Sequence, residues 1–336
     1  TAVTAKRKNL TEFMNRQFHM MVMKELPEPK KTYVLKRGLF SAPDYDRQVE
    51  PGPPAEIFPF GEEYSRDRLG FAKWLLHPEH PLTARVTVNR YWQLIFGTGI
   101  VSTTNDFGFQ GALPSNQALL DYLSRRFIDS NWDTKSLFKF IVMSHSFRQD
   151  SNSTAALSER DPDNQLLARG PAMMLSAEML RDNALNSAGL LKQQFGGAGV
   201  DPKKPHQGKY RRSMYSTWKR NSPHPELLMF GTPRRQVCAV QREKTTTPLQ
   251  SLVLMNSPQY VNSAKALAAR VMDKKLKPEE TINEMFLLAT GRQAVDQERK
   301  ILADLYQEQL RYFTAAPEVA KALSNKQDDN TNQLAA

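Results

Sequence analysis

The sequence predicts a mainly α-helical protein with a few short β-strands, an irregular multi-helix domain joined by long polar loops. Three observations carry this. Apolar residues recur at helical spacing in segment after segment, and several segments open on Ser, Thr, Asp or Pro and close on Gly or Pro. Runs rich in β-formers are short and fall in two places only. The 21 prolines and 16 glycines mostly lie between the periodic segments or at their first turns.

Residues 1–16 read as the tail of a helix. FHMMVMKEL and KTYVLKRGLF, separated by PEPK, read as a β-hairpin with a proline-bearing turn. Residues 41–63 are proline-rich and read as an extended connector. A helix over Ser65–Leu76 is stopped by His77-Pro78, and the next starts near Pro81 and ends at Gly97. Ser115 is placed to cap a helix whose core face is Leu119, Leu120, Leu123 and Phe127. Asp133 is placed to cap its partner, with Leu137, Phe138, Ile141, Val142 and His145 inward.

A polar connection over 149–172 contains RDPDN, a turn rich in side-chain-to-backbone bonding. Ser176 caps a helix to about Leu191, which sets Glu178, Arg181 and Asp182 on one face. Glycines 196, 197 and 199 mark a loop, and KYRRSMYSTWK alternates like a short strand. Helices follow from Pro225, Thr247-Pro248, about residue 259, Pro278 to Gly291, and 295–313. The expected organisation is an N-terminal region over 1–63, a main helical domain over 64–323 and a disordered tail over 324–336.

The organising stretch is Pro81–Ser115. At helical period Ala84, Val88, Tyr91 and Ile95 form one stripe, and Arg85, Asn89, Trp92 and Phe96 form the next. An arginine and an asparagine beside large aromatics need specific partners. The following loop, Thr103, Thr104, Asn105 and Asp106, is the expected source.

The formal charge is +11. It suits an anionic partner such as nucleic acid, an acidic polysaccharide or an acidic protein surface. It is densest over 209–247, in Lys209, Arg211, Arg212, Lys219, Arg220, Arg234, Arg235, Arg242 and Lys244, against Glu226 and Glu243. Tyr210, Tyr215, Trp218 and Phe230 are interleaved, as in a polyanion groove. The alternative is a buried scaffold in which these arginines pair with Asp106, Asp161, Glu178 and Asp182. The candidate ligand-binding residues are Arg85, Asn89, Asn105, Arg181, Arg211, Arg212, Trp218 and Arg220. Asp106, Glu178 and Asp182 are the candidate catalytic carboxylates, should two of them face each other across a cleft.

One cysteine, Cys238, excludes an intramolecular disulfide, a cysteine-rich zinc site and a CxxCH haem site in this stretch. It is expected as a small core residue between Val237 and Val240. His77 and His80 flank a helix-ending proline with no third metal ligand evident, and no metal site is expected. No Walker, dinucleotide or G-x-S-x-G motif is present. No apolar run approaches the roughly 20 residues of a membrane span.

The strings LTARVTVNRYWQLIFGTGIV, NDFGFQGALPS, DPDNQLLARGP, AEMLRDNAL, YRRSMYSTWKR and REKTTTPLQSLVLMNSPQ occur in this order. They resemble the C-terminal domain of unknown function, number fifteen fifty-three, of large planctomycete and verrucomicrobial proteins. The resemblance runs from about Met20 to Arg292. It implies export, to the periplasm or cell surface, and an upstream cytochrome-c-like domain as partner. Haem c would belong to that upstream region, with no cofactor in this chain. Family motif positions are matched by Arg85, Asn89, Asn105, Asp106, Glu178, Arg181, Asp182, Arg211, Arg212 and Arg220, among others. The resemblance implies no particular reaction. The functions to weigh are therefore an accessory module binding an anionic polysaccharide, a catalytic domain acting on acidic or sulfated glycans, and a basic nucleic-acid binder. No nucleic-acid motif supports the last.

Overall fold

The computed structural model describes residues 2–16, 20–201, 210–242 and 245–324. Among these the chain is mainly α, with fourteen α-helices against a single two-stranded sheet. It divides into two compact units. The first runs to Ser102 and resumes over Leu113–Arg148, and the second comprises Thr103–Ala112 and the chain from Gln149 on.

In the first unit, α1 (Ala2–Arg16) exposes its described side chains. β1 (Thr32–Leu35) pairs antiparallel with β2 (Pro43–Val49), Tyr33 opposite Gln48, with a register shift after Tyr33. The Tyr33 and Tyr45 rings meet edge-on at 5.1 Å. This corrects the expected hairpin. Residues 20–26 form no regular element, and Met21 and Met23 are exposed. The partner of KTYVLK comes instead from the segment read as connector. PDYDRQV lacks strand-type composition, but a two-stranded ribbon needs backbone partners more than apolar side chains. Proline is tolerated at its first position.

Asp67 caps α2 (Arg68–Leu75), accepting from Gly70 N at 2.8 Å. Buried Trp74 donates its indole N–H to Phe58 O at 3.0 Å, which ties the proline-rich connector down. Buried His80 receives the Leu82 and Thr83 amides on Nδ1 at 3.3 and 3.2 Å, satisfying donors at the start of α3 (Thr83–Phe96). The apolar face of α3 is Ala84, Val88, Trp92 and Ile95, all buried. It ends at Gly97, whose φ of 85° is the left-handed C-terminal conformation glycine adopts without strain.

Asn116, not Ser115, caps α4 (Gln117–Asp129), accepting from Leu119 N at 2.9 Å. The Ser115 amide is used in a 2.8 Å bond to Ile100 O. Asp133 caps α5 (Thr134–Val142), with Leu137 and Ile141 buried. α6 (His145–Arg148) follows at once. His145, expected inward, is exposed, because α5 stops at Val142 and the helical period is broken before residue 145.

In the second unit, α7 (Ala155–Arg160) leads into the expected polar turn. There Asp161 accepts from the Gln165 and Leu166 amides at 2.8 and 2.9 Å. The centre is α8 (Ala177–Ser187), capped by Ser176 and shorter than its period suggested. α9 (Pro225–Met229), α11 (Pro258–Met272) and α12 (Pro278–Thr290) pack on it. α10 (Pro248–Asn256) joins α9 and α11, and α13 (Asp296–Ala315) and α14 (Pro317–Ser324) complete the unit.

The strand expected over 209–219 is absent among the described residues. Arg211 and Ser216 make single bridges to Lys192 and Val200, and Ser213–Tyr215 is a 3-10 turn. A strand needs a continuous partner, and here Arg211 and Ser213 are drawn into the interior instead. Cys238, expected in the core, is exposed, because residues 234–242 form an open strap with no core against it. Lys209, Glu243, Lys244 and the tail beyond Ser324 lie outside the described residues. No described helix is long and apolar enough to cross a membrane.

Candidate functional site

The second unit is built around a buried guanidinium. Arg181, one turn into α8, is 2% exposed. It donates to Gln259 Oε1 at 3.0 Å, Arg211 O at 3.0 Å and Ser213 Oγ at 3.1 Å, with Asp182 Oδ1 at 3.5 Å. Asp182 Oδ1 in turn accepts from the Ser213 amide at 2.8 Å and its hydroxyl at 2.7 Å, while Arg212 approaches the other oxygen at 3.9 Å. Arg181 and Asp182 are consecutive on α8, and the 3-10 turn draws them together through Ser213, which bonds to both. Burial lowers the affinity of Arg181 for its proton, opposed by the charges of Asp182, Tyr260 and Glu226.

Arg211 is buried as well. Its guanidinium donates to the carbonyls of Gln194, Gly196 and Ala198 and lies over the Tyr215 ring at 4.1 Å. One arginine therefore holds the glycine loop closed, and the Tyr215 hydroxyl accepts the Gly196 amide at 3.0 Å.

Glu178, in the first turn of α8, forms a bidentate pair with Arg242 at 2.5 and 3.2 Å. Burial pushes its carboxyl up, but the bonds and charge of Arg242, with Arg235 beyond, hold it below the usual carboxylate range.

The remaining cations lie outside. Trp218 donates its N–H to Arg234 O at 3.4 Å, and the Arg235 guanidinium sits 5.2 Å from the centre of the ring. A bridge between Lys219 and Ser222 turns the chain directly after the tryptophan, and Lys219 and Arg220 are exposed there.

Asp106 lies in a loop that bonds to itself. Its carboxylate accepts from Gly108 N at 2.8 Å, and Thr103 Oγ1 donates to its carbonyl at 2.8 Å while accepting from Ala112 N at 2.9 Å. Asn105 is exposed.

Arg85 and Asn89, in the first unit, have partners other than those expected. Arg85 pairs with Asp121 on α4 at 2.6 Å and donates to Pro81 O at 2.5 Å. Asn89, fully buried, donates to Val101 O at 3.0 Å and accepts from Val101 N at 2.8 Å, mimicking a strand partner.

The structure thus brings Arg181, Asp182, Arg211 and Arg212 together as one polar knot. Glu178, Asp106, Asn89 and Arg85 each have separate partners. Among the described residues no group of three or more His, Cys, Asp and Glu is placed to hold a metal ion. Sequence reasoning missed Gln259, Ser213, Tyr260 and Asp121. Ser213 and Gln259 lay inside strings already singled out, YRRSMYSTWKR and MNSPQ. Asp121 carried no signal, because its pairing spans 36 positions.

The model of a family described as PSD1, protein of unknown function (DUF1553), matches residues 67–306. The chain belongs to that family. Both the polar knot and the arginine-rich surface fall inside the PSD1 span. No curated protein and no solved structure matches the chain.

Tyr260 borders the knot and is 7% exposed. Burial, helped by Glu226 and opposed by Arg181, pushes its hydroxyl up to about 12. A raised folded value means the neutral phenol is favoured in the native state. Its contribution is therefore complete below pH 10.0, the ordinary value, and is lost as pH rises towards 12. The expected loss is on the order of 3 kcal/mol across that window. Urea unfolding at a series of alkaline pH values checks it, and Tyr260→Phe is expected to remove this step. An unchanged pH profile in that variant would refute the assignment.

Proposed function

We propose that this chain is a non-catalytic accessory module that binds an anionic polysaccharide through the surface around Trp218, in an exported protein whose neighbouring region bears haem c. The observation that carries this is how the charged groups are partnered. Each candidate carboxylate, Asp106, Glu178 and Asp182, is engaged within the fold. By contrast, Lys219, Arg220 and Arg234 are exposed and, among the described residues, have no salt bridge. Arg181 and Arg211 then organise the support, with Arg212 beside Asp182, and Arg220, Arg234 and Arg235 supply the contact. A hydrolytic reading needs a carboxylate available to exchange a proton with a substrate, and the engagement of all three weighs against it.

The test is calorimetric titration with polygalacturonate and with dextran sulfate. At least one is expected to bind, with affinity falling as salt rises because exposed charge pairs are screened. An Arg220→Ala/Arg234→Ala/Arg235→Ala variant is expected to weaken binding about tenfold or more, since each exposed charge contact contributes up to about 1 kcal/mol. Failure of both polymers to bind at low salt, or release of reducing ends from either, would overturn the proposal.

A further inference from the structure

We infer that the anion read by this surface is a sulfate ester on a polysaccharide, recognised by guanidinium groups and not by stacking on sugar rings. This rests on the anionic-polysaccharide reading above. Aromatic rings in a basic surface ordinarily suggest a platform for sugars or bases. Here the rings are already used. Arg235 lies over Trp218 at 5.2 Å, and the indole N–H is bound to Arg234 O. Arg211 lies over Tyr215 at 4.1 Å, and the Tyr215 hydroxyl holds Gly196 N. Trp218 and Tyr215, both half-buried, therefore each carry an arginine on a face.

The composition of the exposed charge selects the anion. The exposed cations of the two segments that meet at the indole, 218–220 and 234–235, are Arg220, Arg234 and Arg235 with one lysine, Lys219. Guanidinium is weakly hydrated and presents a planar fork of donors. A sulfate ester is also weakly hydrated and offers several equivalent oxygens to that fork. A carboxylate holds its water more tightly and must give it up to a group that repays less. Exposed arginines, unaided by burial, make that difference count. The acid whose charge reaches Arg235 is Glu178, and it is already bound by Arg242. The anionic ligand therefore meets little opposition. Nucleic acid is disfavoured because single strands bind such surfaces largely by base stacking, and each of these two half-buried rings already carries an arginine.

The experiment compares dextran sulfate, unmodified dextran, polygalacturonate and oligo(dT) by calorimetry on the full chain, at matched anion concentration and about 100 mM salt. Dextran sulfate is expected to bind about tenfold tighter than polygalacturonate, with no binding of dextran. Arg234→Lys/Arg235→Lys keeps the charge and is expected to shrink that preference to about threefold or less. Equal affinity for the two polyanions overturns the sulfate assignment and leaves the anionic-polysaccharide reading standing. Binding of neither defeats both. Tighter binding of oligo(dT) than of dextran sulfate overturns the inference in favour of nucleic acid. A preference undiminished in the double-lysine variant overturns it too.

Discussion

Arg181→Met is expected to lower the stability of the second unit by about 3–5 kcal/mol, the range for removing one member of a buried charge pair. Methionine keeps much of the volume and the unbranched stem, so lost packing contributes little. What disappears is the donor to Gln259, Ser213 and the Arg211 carbonyl. The carbonyl is left buried without its bond, and Asp182 loses a neighbouring positive charge. Lysine is no substitute, because a single ammonium cannot reach the same partners in one plane. Hydrogen exchange in urea, followed in peptides of the second unit, reads this directly because it separates that unit's opening from the first unit's. A loss below about 1 kcal/mol, the scale of an ordinary exposed ion pair, would show that the knot is not what holds the unit together.

In the first unit, Asn89→Ala is expected to destabilise by about 2–4 kcal/mol. Its amide satisfies both the N–H and the C=O of buried Val101, and each unsatisfied backbone group costs about 1–3 kcal/mol. Gly99→Ala acts on the same clamp from the other side. A methyl group there would come within 2.6 Å of Asn89 Nδ2 and 2.6 Å of Val101 O. The two substitutions should therefore be strongly non-additive, with the double variant little worse than the more damaging single one. A double-mutant cycle monitored by hydrogen exchange in peptides of α3, which carries Asn89, measures the coupling. Simple additivity would mean that the clamp and the glycine act independently.

Much of this fold was legible. The helices over Thr83–Phe96, Thr134–Val142, Pro248–Asn256 and Pro278–Thr290 follow from apolar period, capping residues, and proline at first turns or glycine at last ones. Those signals act within a few residues, so sequence carries them. The hairpin partner was not legible. PDYDRQV becomes a strand only because KTYVLK lies beside it, and composition does not report a backbone partner. Cys238 and His145 were misplaced for the same reason. Local pattern suggested an interior, and whether anything packs there is decided by distant chain.

The candidate site divides along the same line. By itself the sequence determined that arginines, carboxylates and aromatics concentrate in a few strings, that Glu178, Arg181 and Asp182 share a helix face, and that Asn89 sits among apolar neighbours. Only the tertiary structure decided which of these charges are interior and which face solvent. Arg181 and Arg211 are buried while Arg220, Arg234 and Arg235 are exposed, although all are the same residue type in similarly basic company. The physical reason is that burying a guanidinium requires several acceptors converging on one point. Those acceptors come from α8, the 3-10 turn, the glycine loop and Gln259, segments that meet only when the chain folds.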